Sequence, residues 1–568
     1  MTAQQPEDQP LNSSVIRDRF LYQRPPSATP FVEPELIREY RKDAAPSHDP
    51  ERNKALRIEA GTFLQDLHRR TPRDVEGVDS KAIAQGFGLE RTPYDAEKGA
   101  ALDLWQDPSY RDLIKSLYTQ QLQYMELQTH PSLLEARLAM QNSIEHAGNS
   151  ELRPKRTIEI FEQKIAQKIA ITWENVGWGI PERLYDSAEA EDESTTAIRA
   201  QGTYSHICNS PDGPIVALPI VAPSHPDLMG SLVQAEHALV GGLTFVPCDA
   251  LFSDNKTGLR WQKESLKATY EILRSHPLLV THRHGNRVLS NGQSVRQHLF
   301  LEARKRIGVT LKPHPVENSA ERAKELYETY GVTLFRVFDP RDTKSLPQTI
   351  EAVRKATNDK ATIIGSQVTG VESARACYNA GAQAIVMNIG EGGHCSTSSG
   401  THQIPSNFLT FYRIQRDGPA DLGIILDGGV GKGWVLGLAL GASAAMKHGS
   451  LIGSTIQQAP CFIALKGSDG LLYKLQSGEA AKRNKYRSGN QFDVASNLKN
   501  VEGVDRAFQI FNGLSATVAE RLDVDFLAPC AKQLAFCGAT HLHQFMQWQE
   551  PVLWEPTSET RIKAAPHA

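Results

Sequence analysis

Two rhythms of apolar residues divide the chain. After Pro214, short β-branched runs alternate with stretches of helical periodicity, the pattern of a parallel sheet with helical crossovers. The runs are 215–221 (IVALPIV), 243–246 (LTFV), 307–312 (IGVTLK), 332–338 (VTLFRVF), 361–366 (ATIIGS), 383–388 (QAIVMN), 422–427 (LGIILD) and 443–448 (SAAMKH). Eight such strands in series predict an α/β fold, a (β/α)8 TIM barrel spanning residues 210–545. Between them, Asn318 to Tyr330 reads as a helix whose Asn318 and Glu321 have capping-box spacing. Gly370 to Ala380 reads as another, ending at Gly381.

Before the barrel the pattern differs. Residues 1–50 are rich in proline and polar groups (Arg24-Pro25-Pro26-Ser27, Ala45-Pro46-Ser47) and read as a partly disordered arm. Residues 51–200 read as an additional, mainly helical N-terminal region, with Glu51 to Arg70 and Tyr110 to His146 as candidate helices. The acidic run Ala188 to Ser194 reads as a linker. The barrel carries an active-site loop and a flap at 461–510, and residues 546–568 form a C-terminal tail.

Composition narrows the class. The 568 residues are 40% hydrophobic and 22% charged, enough to bury a substantial core. A net charge of −3 argues against nucleic-acid binding by bulk electrostatics. No apolar run approaches the roughly 18 residues of a membrane span, and Glu7, Asp8, Arg17 and Asp18 interrupt any leader-like stretch, so a cytoplasmic protein without membrane contact is expected. The seven cysteines (208, 248, 377, 395, 461, 530, 537) include no CxxC pair, against a disulfide framework or zinc site. His541 and His543 alternate as metal ligands do, without an evident third ligand, and read as packing or surface histidines.

In a barrel of this class the working groups sit on the loops after the strands, and phosphate commonly sits on loops seven and eight. The seventh run ends in Asp427-Gly428-Gly429-Val430-Gly431 and the eighth in Gly449-Ser450. Glycines let amides approach phosphate oxygens, and Asp427 is placed to take hydrogen bonds from a ribose diol. The loop after strand six runs Asn388-Ile389-Gly390-Glu391-Gly392-Gly393-His394-Cys395-Ser396-Thr397-Ser398-Ser399-Gly400. It sets a cysteine among amides and hydroxyls, beside a histidine, where its pKa falls toward the thiolate. Cys395 is therefore the candidate nucleophile; the other six cysteines read as small buried apolar residues.

These segments resemble the IMP dehydrogenase/GMP reductase family over roughly residues 214–545. Gly390-x-Gly392-x-x-Cys395-x-Thr397 is similar to its catalytic loop GxGSxCxT, and Asp427-Gly428-Gly429 to its ribose- and phosphate-binding DGG. Gly441-Ala442-Ser443-Ala444, Gly449-Ser450-Leu451 and Ala459-Pro460 follow GASAVMxGSLLAGTxEAP. Lys485-Tyr486-Arg487 is similar to the family's KYR segment. Asp339 stands where the family has an aspartate beside the nicotinamide ribose, and Gly365-Ser366-Gln367-Val368-Thr369 is similar to GNVVT.

The resemblance implies an oxidoreductase of a purine or related nucleoside monophosphate, acting through a covalent Cys395 adduct with hydride transfer to or from NAD or NADP. It implies Cys395 and Thr397 as catalytic residues. Substrate and phosphate would be held by Asp427, Gly428, Gly429, Gly449, Ser450 and Tyr486, and the nicotinamide cofactor by Asp339 and Ser366. The carbonyls of Gly390, Gly392 and Cys395 would hold a monovalent cation such as K+. A homo-oligomer, a tetramer, is implied as well.

The chain departs from the family pattern at several positions. Gly393 replaces the loop serine, and Ser488-Gly489-Asn490 replaces the base-reading MGS. Gly489 to Asp493 lacks the flap Arg-Tyr pair that activates water in the dehydrogenases, and Gln457-Gln458 stands where the reductases use a glutamate. Cys248 to Arg306 is too short for the family's regulatory insertion. Two other readings stand beside it. One is an FMN barrel of the nitronate monooxygenase type, whose EAGGH motif is near Glu391-Gly392-Gly393-His394. The other is a nucleotide-binding barrel without turnover.

Overall fold

The computed structural model describes residues 231–248, 255–313, 315–339, 344–388, 407–428 and 437–446 almost throughout, with further short strands and scattered positions outside these ranges. The eight sheet strands are β1 (Ile220–Val221), β2 (Thr244–Val246), β3 (Ile307–Leu311), β4 (Leu334–Phe338), β5 (Thr362–Val368), β6 (Ala384–Met387), β7 (Gly423–Asp427) and β8 (Ala444–Met446). Every neighbouring pair is parallel, in the order β1-β8-β7-β6-β5-β4-β3-β2. A parallel bridge from Val221 to Leu243 joins β1 to the start of β2, so the two ends of the sheet meet and the cylinder closes.

Seven of the eight predicted runs contain one of these strands, the run 361–366 stops two residues short of the end of Thr362–Val368, and the first needs correcting. Only Ile220–Val221 enters the barrel. Ile215–Val216 pairs antiparallel with Ser205–His206 instead, the register running Ser205 to Val216. This hairpin delivers Ile207, fully buried, into the core cluster with Val221, Phe245, Leu334, Ile364, Val386 and Ile425. Its carbonyl lies against Gly423, the first residue of β7, where an added Cβ would sit 1.9 Å away. The hairpin thus plugs the end of the barrel at which the strands begin.

Among the described residues of the barrel, the helices are α1 (Ser231–Leu239), α2 (Asn255–Ser275), α3 (Pro277–Val280), α4 (Val295–Lys305), α5 (Val316–Tyr330), α6 (Ser345–Ala356), α7 (Val371–Asn379) and α8 (Asn407–Asp417). Helix α6 buries Leu346, Thr349, Ile350 and Val353, a spacing that lines one helical face. Helix α5 does the same with Ser319, Arg322, Ala323 and Leu326, and stops where Gly331 turns left-handed at φ 63°. The expected capping box does not form: α5 begins two residues before Asn318, behind Pro315, which offers no side-chain cap. Proline fixes its own φ near the required value, so the start moves to it. Helix α7 stops just before Gly381, φ 104°, as the sequence pattern anticipates.

The expected helical pattern of residues 51–200 lies mostly outside the described residues, as does the arm at 1–50. Within that pattern, Pro131, Leu134, Glu135 and Leu138 are helical, and Pro131 and Leu134 are buried. Glu135 grips the barrel: its carboxylate accepts from the Ser290 amide (2.6 Å) and hydroxyl (2.5 Å). A second link joins Glu162 to Arg416 on α8, at 3.7 Å. A strand at Val176–Trp178 pairs antiparallel with Pro551–Leu553, bringing the region before the barrel to the C-terminal tail. The flap range holds a three-stranded antiparallel sheet, Ala464–Lys466, Leu472–Ser477 and Asp505–Gln509. The Lys485-Tyr486-Arg487 segment belongs to the connection between its second and third strands.

Candidate active site

Side chains alternate along a strand, so the core residues fix which positions face the barrel axis. Leu334 faces inward, hence Arg336 and Phe338 do; Ala384 and Val386 face inward, and Asn388 follows in phase. Ile364 leads to Ser366 and Ile425 to Asp427 in the same way. The ends of β4, β5, β6 and β7 therefore converge at the open mouth with an arginine, a serine, an amide and a carboxylate in place of core hydrocarbon.

Arg336, 5% exposed, stacks over the Phe338 ring (4.8 Å to the centroid) and donates from Nη2 to Ser366 Oγ at 2.8 Å. Ser366 and Asp339, both fully buried, lie side by side: the Asp339 amide donates to the Ser366 carbonyl (2.5 Å), and the Gln367 amide donates to the Asp339 carbonyl (2.8 Å). The β5–β6 ladder shifts register between Ser366 and Val368, where the Ser366–Gln367 peptide is cis. From this irregularity Gln367 Nε2 donates to Asp427 Oδ2 at 2.5 Å, reaching from β5 to β7 over the end of β6. Register places Met387 opposite both Val368 and Leu426, so Asn388, at the end of β6, falls between the two partners.

Asn388 has a left-handed backbone, φ 84°, and is 3% exposed. Asparagine tolerates that region better than most residues. Gly428 also turns left-handed, φ 58°, immediately after Asp427. Its amide donates to the Met446 carbonyl at 2.9 Å, so this N–H completes the β7–β8 ladder, and Gly428 contributes a turn rather than a donor.

Of the residues picked from the sequence, the structure brings Asp339, Ser366, Asp427 and Gly428 to one mouth. Cys395, Thr397, Gly390, Gly392, Gly429, Gly449, Ser450 and Tyr486 lie outside the described residues, as do His541 and His543. Cys248 and Cys377 are buried and form no disulfide, which agrees with their reading as small apolar residues. Among the described residues no group of three or more His, Cys, Asp or Glu is placed to hold a metal, and no helix is long and apolar enough to cross a membrane. The motif search missed Arg336, Gln367 and Asn388. For Arg336 and Asn388 the signal available was parity, because each is a polar residue in phase with an apolar run; Gln367 is out of phase with Ser366 and reaches Asp427 only through the register shift, which the sequence pattern does not signal.

Comparison with curated proteins returns no match. A family model described as the IMP dehydrogenase / GMP reductase domain matches residues 216–567, which takes in all eight barrel strands and the flap sheet. That span is more than half of the chain and agrees with the closed parallel barrel and the Asp427-Gly428 mouth: the chain belongs to the IMP dehydrogenase/GMP reductase family.

Proposed function

We propose that the barrel is an oxidoreductase of a purine, or closely related, nucleoside monophosphate that works through a covalent adduct on Cys395. The observation that carries this reading is the mouth itself. A polar set, with Asp339, Ser366 and Gln367 buried and Asp427 half-buried, gathers beside the end of β6, from which the Gly-rich cysteine loop leads on. The Cys395 thiolate adds to an electrophilic ring carbon of the base, with Thr397 beside it in sequence as a hydroxyl able to relay a proton. Asp427 takes sugar hydroxyls, while Gly429, Gly449, Ser450 and Tyr486 take the phosphate.

When bound, a nicotinamide cofactor, NAD or NADP, would supply or accept the hydride. The residues present fit its ribose: Asp339 is an acceptor, and the Ser366 hydroxyl, which accepts from Arg336, keeps its own proton to donate. The carbonyls of Gly390, Gly392 and Cys395 are the set for a monovalent cation such as K+. A homotetramer in the cytoplasm completes the reading.

The flap lacks the Arg-Tyr pair, so hydrolysis of the adduct falls to another group, or the adduct is resolved by a different second reactant. Purified protein is assayed for nicotinamide absorbance change with inosine and guanosine 5′-monophosphates, in both directions of hydride flow. Turnover lost in Cys395→Ala supports the proposal. Nucleotide binding without turnover in the wild type favours the non-catalytic barrel. The flavin alternative rests on Glu391 to His394 alone and requires a yellow protein; a colourless one is expected.

A further inference from the structure

A histidine nitrogen that accepts a backbone N–H carries no proton, and protonating it sets a donor against a donor. Two buried histidines of the β2–β3 crossover are held in this way. His276 caps α3: its Nδ1 accepts from the Leu278 amide at 3.2 Å, so the ring proton sits on Nε2, which donates to Glu236 Oε1 of α1 at 2.9 Å. His282 Nδ1 accepts from the His284 amide, also at 3.2 Å. His276 is fully buried and His282 is 5% exposed. From His282 the chain folds back on itself. The Gly285 amide donates to the His282 carbonyl, the Arg296 amide to the Gly285 carbonyl and the Leu289 amide to the Gln293 carbonyl, which leaves Ser290 at the tip. Ser290 is the residue that Glu135 grips, so the two imidazoles brace the platform on which the N-terminal region is anchored.

We infer that residues 276–296 form a proton-gated anchor: protonation of His276, reinforced at His282, opens this segment and releases the Glu135 contact. The two partners of His276 pull in opposite directions. The Glu236 carboxylate makes the proton tolerable, since an imidazolium pairs with it directly; the Leu278 amide makes it disruptive, since Nδ1–H then points at a donor. Residues 272–301 include no Asp or Glu, so no carboxylate of the segment itself competes for the imidazolium. Its cations act with the proton: Arg283 and Arg287 are exposed on the turn, and Arg296 is committed to the carbonyls of Leu279 (3.1 Å) and Val280 (3.2 Å). Two further histidines face the turn, His284 with its ring 6.3 Å from that of His282 and His298 with Nδ1 3.3 Å from Gln293 Oε1. On the flanking helices Arg274 stacks over Phe300, Glu271 is exposed, and Glu302 faces Lys305 and Arg306. His237, beside Glu236 in sequence, is held down to about 4 by burial and stays neutral while His276 titrates.

The test is hydrogen exchange of the full chain by mass spectrometry at about pH 7.5 and pH 5.5, each corrected for the intrinsic exchange rate. Protection of peptides within 276–296, and of the peptide holding Leu134 and Glu135, is expected to fall about tenfold or more at the lower pH. Helix α6 and the peptide holding Arg416, whose link to Glu162 involves no histidine, are expected to keep theirs. Glu236→Gln leaves an acceptor for His276 Nε2 but removes the charge that tolerates the proton, and His276→Asn caps α3 without titrating. Both variants are expected to hold their protection at the lower pH. Wild-type protection equal at the two pH values would overturn the inference, as would an equal fall in α6, which signals general acid destabilisation. Either variant losing protection as the wild type does would overturn it too. The wild-type comparison decides by itself should a variant fail to fold.

Discussion

Arg322 Nη1 donates to Gln262 Oε1 at 3.2 Å, both side chains buried, and this contact ties α5 to α2 beneath the barrel mouth. The same Gln262 amide donates to the carbonyls of Pro247 (3.0 Å) and Thr310 (2.8 Å), after β2 and near the end of β3. One side chain therefore fixes the ends of two strands and the following helix.

Gln262→Met keeps the volume and removes every one of these bonds. Leaving two carbonyls and part of a guanidinium without this partner is expected to destabilise the protein by about 2–4 kcal/mol. A urea titration measures it; a change below about 0.5 kcal/mol would show that the amide is dispensable.

The hairpin plug is testable at Gly423. A Cβ there would meet the Ile207 carbonyl at 1.9 Å, and a backbone atom cannot be moved aside as a side-chain tip can. Gly423→Ala is expected to cost about 2 kcal/mol or more, whereas Gly370→Ala, with nothing within 4 Å of its added Cβ, is expected to cost about 1 kcal/mol or less. Paired thermal melts decide it, and similar losses at the two sites would contradict the packing described for Ile207.

Acid stability has a named contributor. Burial holds the His237 imidazole down to about 4 from its ordinary 6.5, with the Gly242 backbone acting weakly in the other direction. Below pH 6.5 the unfolded chain takes a proton here that the folded chain refuses. Stability from this residue is therefore complete above pH 6.5 and declines as pH falls toward 4, by up to about 3 kcal/mol. His237→Gln is expected to flatten that part of the profile, measured as urea midpoints at pH 7 and pH 4.5. A variant that loses as much stability as wild type between those values would contradict the assignment.

The grip of Glu135 on Ser290 lies at an exposed position, where solvent screens it. Glu135→Gln is expected to change global stability by less than about 1 kcal/mol while raising amide exchange at Ser290, whose N–H loses a charged acceptor. Unchanged exchange at Ser290 would count against the contact.

The barrel was legible because each strand is a short apolar run with its own turn signals, and because parallel strands buried on both faces need little more than that. The first run misled for the same reason: IVALPIV is apolar throughout, and composition does not reveal that Pro219 separates a hairpin strand from a barrel strand. Asn318 and Glu321 satisfied a capping pattern locally, but Pro315 upstream set the helix start. Asp427 and Gly428 were legible as a motif. What Gly428 does was not, since the partner of its amide, Met446, is set by strand register. Arg336 and Asn388 stayed hidden because their meaning lies in inward parity, and Gln367 because a register shift carries its amide to a partner 60 residues away, Asp427.

The central claim is that a nucleotide meets the thiol of Cys395 at this mouth. Its most direct measurement is intact-mass analysis of acid-quenched protein after incubation with purine monophosphates and nicotinamide cofactor. A species heavier by one nucleotide in the wild type, and absent in Cys395→Ala, is the expected result. Wild-type protein of unmodified mass, under conditions where nucleotide binding is independently saturated, would contradict it.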